Sequence, residues 1–292
     1  MRKILGIFAT GRLGGLVMEK CLHRGHPVDL VVRDPAHPGA KRLQQFGARV
    51  FPFESLDPGS PPDWFEDGCR AYVGGPFQRH AAALDFLAAQ QSRLDRIVFV
   101  SSANAKAGDY ASYRDFEDYE DRILEQIELG IIIKPTLVFG LEDDRNFSRM
   151  ARWMRRFPVF PQIGSGNAIY QPVHYEDLAE AAAGTLEADS LKSRVYFVGG
   201  RDSLPYREIV RFLRDGLRAR CLILPLPQTL LRAASATVGR IIKLPLSGEQ
   251  IARAHVDRTV DNAPATRDFG YQPAPTLERL EEAIRAYSKS AE

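Results

Sequence analysis

Along the first half of the chain, short apolar runs alternate with stretches whose apolar residues recur at helical spacing. "KILGIFA", "VDLVVR", "RVFPF", "RAYVGG", "RIVFVSS" and "GIIIKPTLVFG" read as six β-strands. Between them, residues 13–24, "GAKRLQQFGA", residues 79–91 and residues 113–129 read as helices. The first sets Leu13, Leu16, Val17 and Cys21 on one side, and the last sets Phe116, Tyr119, Ile123 and Ile127 on another. Strand, helix and strand in repetition imply right-handed crossovers and a parallel sheet. Nearly all-apolar strands such as "IVFV" fit a sheet covered on both faces. The expected fold is an α/β doubly wound parallel sheet.

From about residue 141 the pattern loosens. Helices such as "NFSRMARWMRRF" and "TLERLEEAIRAY" mix with the short strands "RVYFVG" and "RCLILP" and with proline-rich links. This predicts a smaller mixed C-terminal lobe. The sheet domain is placed at 1–165 and the lobe mainly at 166–292, with some segments returning to the first domain.

Composition narrows the choice. With 292 residues, 45% of them hydrophobic, the chain can bury a sizeable core. Thirty-nine basic residues against 37 acidic ones leave a net charge of +2, which points to no nucleic-acid partner. Cys21, Cys69 and Cys221 form no C-x-x-C pair and are odd in number, which argues against a disulfide framework or a zinc site. They fit a reducing compartment, and the expected location is cytoplasmic. No secretion signal is visible, and no apolar stretch is long enough to span a membrane. The most lipid-like segment, "LLRAASATVGRIIKLPL" at 230–246, is interrupted by Arg232, Arg240 and Lys243. The histidines show no metal-ligand spacing, so no metal is expected.

Candidate chemistry begins at "GIFATGRLGG", residues 6–15. Gly11 and Gly14 stand where a strand turns into a helix, so that a phosphate can approach the backbone and the helix can pack closely on the strand. The helix-start N–H groups would face that charge. Where a G-x-x-G-x-x-G spacing wants its first glycine there is Phe8, a residue that does not easily take positive φ. The entrance of the turn is therefore expected to be rebuilt, or one residue shorter. The second strand ends at Arg33, where an NAD-binding chain usually places a carboxylate. A planar cation there suits a 2′-phosphate and favours NADP over NAD, with Arg12 and Lys41 available to add charge and Asp34 beside it as the counterargument.

"ATGRLGG", "VVRDP", "FVSS", "KPTLVFG", "QPVHYEDLAEA" and "DNAPATRDFGYQPAPTLERL", in this order, resemble the short-chain dehydrogenase/reductase superfamily. The likeness is to its extended and atypical branches, epimerase/dehydratase-like and NmrA-like. The resemblance spans nearly the whole chain and implies a Rossmann domain with a substrate lobe. It further implies a nicotinamide cofactor and a reaction at a hydroxyl or carbonyl of a small substrate. It assigns cofactor contacts to Thr10, Gly11, Arg12, Leu13 and Gly14 of the turn, to Arg33, to Gly74, Gly75 and Pro76, and to Lys134 and Pro135, where the family commonly has Arg before the proline. The family's Tyr-x-x-x-Lys pair is missing from "SSANAKAGDYASYRDFEDYEDRIL". Tyr110 and Arg114 keep the one-turn spacing, and with Ser102 they are the candidates for a modified catalytic site. The alternative reading is a non-catalytic NADP-binding sensor or structural subunit. Tyr119 reads as core, and His174 reads as a structural histidine before a helix.

Overall fold

A computed structural model describes residues 1–75, 81–103, 111–144, 146–227, 229 and 255–289. Pro76, Tyr110, the side chain of Arg114 and the segment 230–246 lie outside the described residues. The chain divides into two compact units. Met1–Pro135, Glu176–Val198 and Asp261–Gln272 make the first; Thr136–Tyr175, Gly199–Val260 and Pro273–Glu292 make the second.

The first unit holds the doubly wound sheet. Its strands are β1 (Ile4–Ile7), β2 (Val28–Val32), β3 (Arg49–Pro52), β4 (Cys69–Val73), β5 (Leu94–Val100), β6 (Gly130–Pro135) and β7 (Val195–Val198). They lie in the order β7-β6-β5-β4-β1-β2-β3, all parallel. The crossovers are α1 (Arg12–His23), α2 (Pro38–Gln45), α3 (Ala81–Ala89) and α4 (Ala111–Gln126). Because both faces are covered, β1, β2, β4 and β6 are buried along their whole length. The strand order reverses between β1 and β4, the switch point at which such sheets open a crevice.

"GIIIKPTLVFG" is one strand by pattern and two in the structure. β6 stops at Pro135, which has no N–H to continue the ladder. Val138–Phe139 then pairs with Val173–His174 in the second unit.

Helix α5 (Phe147–Arg156) belongs to the second unit, and α6 (Tyr175–Glu187) returns almost wholly to the first. Two buried arginines meet the carboxyl end of α6. Arg70 donates to the carbonyls of Leu186 (2.6 Å) and Ala188 (2.7 Å), and Arg96 to Thr185 (2.6 Å) and Ala188 (2.8 Å). They satisfy the orphan carbonyls and complement the negative end of the helix dipole. Burial, with Arg96 beside it, lowers Arg70 to about 10. In the second unit, α5 packs in one core with α7 (Tyr206–Gly216) and α9 (Thr276–Lys289), while α8 (Ala263–Phe269) lies in the first. Among the described residues, no helix is long and apolar enough to cross a membrane and no His/Cys/Asp/Glu cluster is arranged to hold a metal.

Candidate functional site

The turn after β1 keeps a left-handed entrance with phenylalanine in it. Phe8 has φ of 53°, which corrects the expectation of a differently shaped or shortened turn. A non-glycine residue in this region costs about 1–3 kcal/mol. The cost is offset by burial. The residue is only 9% exposed, joins the core of Leu5, Ile7 and Val31, and its ring centre lies 4.7 Å from that of Phe53. Burying a side chain of this size contributes about 2 kcal/mol. The Phe8 N–H still donates to the Val31 carbonyl at 2.9 Å, so the residue stays tied to the sheet.

Two glycines of the turn do different work. A Cβ on Gly14 would lie 2.8 Å from the Ala9 Cα, so its absence lets α1 sit against the strand. A Cβ on Gly11 would meet no protein atom within 4 Å, so the space it leaves open faces outward. Gly11 is the N-cap of α1, makes no side-chain capping bond, and is followed by a first turn without acidic residues. The N–H groups of a helix start beside open space fit an anionic group such as a pyrophosphate. Arg12 is exposed and Leu13 half-buried at the same helix start.

A cleft of about 290 Å³ opens here, lined among others by Phe8, Thr10, Gly11, Arg33, His37 and Gly75. The Arg33 guanidinium carbon stands 5.0 Å from the centre of the Phe8 ring. Asp34 also lines the cleft, and its Oδ1 accepts from the Ala36 N–H at 2.8 Å. His37 caps α2, its Nδ1 accepting from the Gly39 N–H at 3.1 Å. A Cβ on Gly39 would lie 2.3 Å from the Thr10 carbonyl, so the start of α2 can close against the turn only with glycine there. On the β4 side, a Cβ on Gly74 would come within 3.0 Å of the Phe8 carbonyl, and Gly75 has φ of 99°.

Lys134 lies apart from the cleft-lining residues. Its ammonium meets the Glu120 Oε2 at 2.7 Å, and both side chains are almost wholly buried. Ser101 donates to the other carboxylate oxygen, Oε1. Pro135 is buried beside it, its carbonyl accepting from Ala103 at 2.8 Å. Ser102, next along the chain, is half-buried. The structure thus gathers Thr10, Gly11, Arg33 and Gly75 around one cleft and puts Lys134 in a buried ion pair. Sequence reasoning passed over His37 and Glu120. The signal for Glu120 was its place on the apolar stripe of α4, four residues after Phe116 and three before Ile123. A carboxylate on a buried face needs a partner.

The remaining titratable candidates pack as core. Tyr119 is 6% exposed, and burial pushes its hydroxyl pKa up. All three cysteines are free and buried, and burial pushes the Cys21 thiol up to about 12. In the second unit His174 is 4% exposed, with the Phe139 and Tyr175 rings 5.2 and 4.7 Å away. Burial first, and Arg279 second, hold its pKa down to about 4. An unfolded histidine titrates at about 6.5 and so takes up its proton first as pH falls. Stability from this group is therefore full above about pH 6.5 and declines toward pH 4, by roughly 3 kcal/mol. Urea unfolding between pH 7.5 and pH 4 checks this. The slope should shrink in His174→Gln, and an unchanged slope in that variant would rule the assignment out.

No family model matches the chain. Among curated proteins, it is 27% identical over 164 residues to the uncharacterized protein YbjS of Escherichia coli, covering 53% of this chain and 49% of that one. It is also 27% identical over 118 residues to the mitochondrial NADH dehydrogenase [ubiquinone] 1 alpha subcomplex subunit 9 of Arabidopsis thaliana, covering 40% of this chain and 29% of that one. The matched regions thus span half or less of these relatives. Among solved structures it is similar to a nucleoside-diphosphate-sugar epimerase from Pseudomonas aeruginosa, with TM-score 0.74, 18% identity, and 99% and 98% of the two chains covered. It is also similar to an NADPH-dependent quinone oxidoreductase from E. coli complexed with NADPH, with TM-score 0.70, 17% identity, and 97% and 98% covered. At these identities the likeness is one of fold.

Proposed function

From a chain that carries the fold of the short-chain dehydrogenase/reductase superfamily, we propose an NADP-binding oxidoreductase or epimerase-like protein of the atypical type. It acts on a hydroxyl or carbonyl of a small substrate. The observation that supports this best is the cleft at the end of β1, lined by Gly11 at the start of α1, with open space at its Cβ position, and by Arg33. In this reading Thr10, Gly11 and the N–H groups around Arg12, Leu13 and Gly14 hold the pyrophosphate. Gly74, Gly75 and Pro76 pass beside the adenosine, and Arg33 takes the 2′-phosphate. Lys134 and Pro135 contribute backbone toward the nicotinamide end, since the Lys134 ammonium is engaged by Glu120. When bound, the cofactor supplies hydride transfer. Ser102 orients the substrate oxygen, Tyr110 holds the proton exchanged with it, and Arg114 supplies the positive charge that favours the tyrosinate.

One observation favours a second reading, a non-catalytic NADP-binding sensor or structural subunit: α4 contains no lysine at all. The Arabidopsis relative, named as a subunit of NADH dehydrogenase, supports the same reading.

Fluorescence titration with NADPH and NADH tests the cofactor assignment. Arg33→Ala is expected to weaken NADPH about 30-fold, the worth of a charge-assisted bidentate contact, while NADH changes less than about twofold. A protein that binds neither cofactor at high micromolar concentration overturns the proposal. Turnover on a panel of sugars, ketones and quinones decides between the two readings.

A further inference from the structure

Phe8 departs from the glycine pattern at a strained position, and the strain sits at the rim of the cleft. Two side chains meet its ring: Phe53, with ring centres 4.7 Å apart, and Arg33, whose guanidinium carbon stands over the ring 5.0 Å from its centre. Arg33 is exposed, and among the described residues no carboxylate forms an ion pair with it. The nearest acid in sequence, Asp34, directs Oδ1 to the Ala36 N–H. A guanidinium resting on an aromatic face is held by cation–π attraction and keeps its in-plane N–H donors for a ligand. Glycine at position 8 would relax the backbone and remove this support.

We infer that Phe8 is a positioning residue for a phosphorylated ribose: its ring holds Arg33 over the cleft, ready for a 2′-phosphate. The inference rests on reading the cleft as a dinucleotide site. It turns the broken glycine pattern into a specificity device, in which a left-handed phenylalanine is retained because the ring acts through Arg33. The start of α2, closed against Thr10 through Gly39 and capped by His37, borders the same cleft.

The test is a set of equilibrium titrations on the full chain with NADPH and with NADH. Phe8→Leu keeps an apolar side chain and the same backbone strain but removes the aromatic face. It should weaken NADPH about fivefold and NADH less than about twofold. Phe8→Tyr should restore NADPH to within about twofold of the native protein. In an Arg33→Ala background, Phe8→Leu should no longer change NADPH affinity, because the two residues act as one unit. A merely structural role would weaken both cofactors together and leave their ratio unmoved. That result, unchanged NADPH affinity in Phe8→Leu, or additive losses in the double variant would overturn the inference. Thermal unfolding of each variant shows that the fold is kept. If the native protein binds neither cofactor, the reading of the cleft fails first and this inference fails with it.

Discussion

Glu120→Ala is expected to lower stability by about 4 kcal/mol, because it strands the Lys134 ammonium in the core. The two side chains are 4% and 2% exposed, and their closest atoms are 2.7 Å apart. A buried pair gains little over an apolar pair of the same shape, since desolvating two charges offsets most of their attraction. Removing one partner is different, because the remaining charge keeps its full desolvation penalty. Ser101 would lose its acceptor in the same step. The double variant Glu120→Gln with Lys134→Met should therefore recover most of the loss. Urea unfolding of the single and double variants measures both numbers. A single-variant loss below about 1 kcal/mol, or a double variant no better than the single, would show that the pair is not buried as described.

Gly140→Ala should cost a similar amount, about 4 kcal/mol, from two sources that add. Gly140 has φ of 107°, a conformation that L side chains rarely adopt. A Cβ there would also lie 2.1 Å from the Nε2 of His174 and 3.0 Å from the Tyr175 ring. The Gly140 N–H donates to the Asp144 carboxylate and to the Tyr287 hydroxyl, each at 3.1 Å, so the backbone has little freedom to move away. Pairing Gly140→Ala with His174→Ala, measured against His174→Ala alone, separates the sources: the overlap with the imidazole is relieved, while the close approach to the Tyr175 ring and the unfavourable φ remain. Recovery of about half of the loss is expected. A Gly140→Ala protein as stable as the native one in a thermal melt would refute both the overlap and the strain.

Much of the first unit was legible along the chain. The β-runs, the helix periods and the all-apolar strands led to a doubly wound parallel sheet, and the structure has one, with a seventh strand, Val195–Val198, from the "RVYFVG" run that pattern alone groups with the C-terminal lobe. Local patterns suffice for this because strand and helix have different periods and because burial on two faces leaves no polar side to a strand. The glycine turn after β1 was legible for a similar reason, since a strand-to-helix turn needs missing side chains at set positions. The end of the sixth strand was read less well. "GIIIKPTLVFG" is uniformly apolar, and only the loss of the Pro135 N–H, with the separate pairing of Val138–Phe139, divides it.

The amino-acid sequence by itself determined the order of elements, the parallel sheet and the presence of a glycine turn with a cation at the end of the next strand. Each follows from the period of neighbouring residues or from a turn a few residues long. Tertiary structure alone decided where three charges and one ring go. Lys134 turns to Glu120, fourteen residues earlier on another element. Arg70 and Arg96 reach the end of a helix about ninety or more residues away. Phe8 takes a glycine's conformation because Phe53 and the core receive its ring while Arg33 lies across it. Desolvation makes these choices, and a buried charge or ring is satisfied by whatever the fold brings beside it, at distances along the chain that no local pattern records.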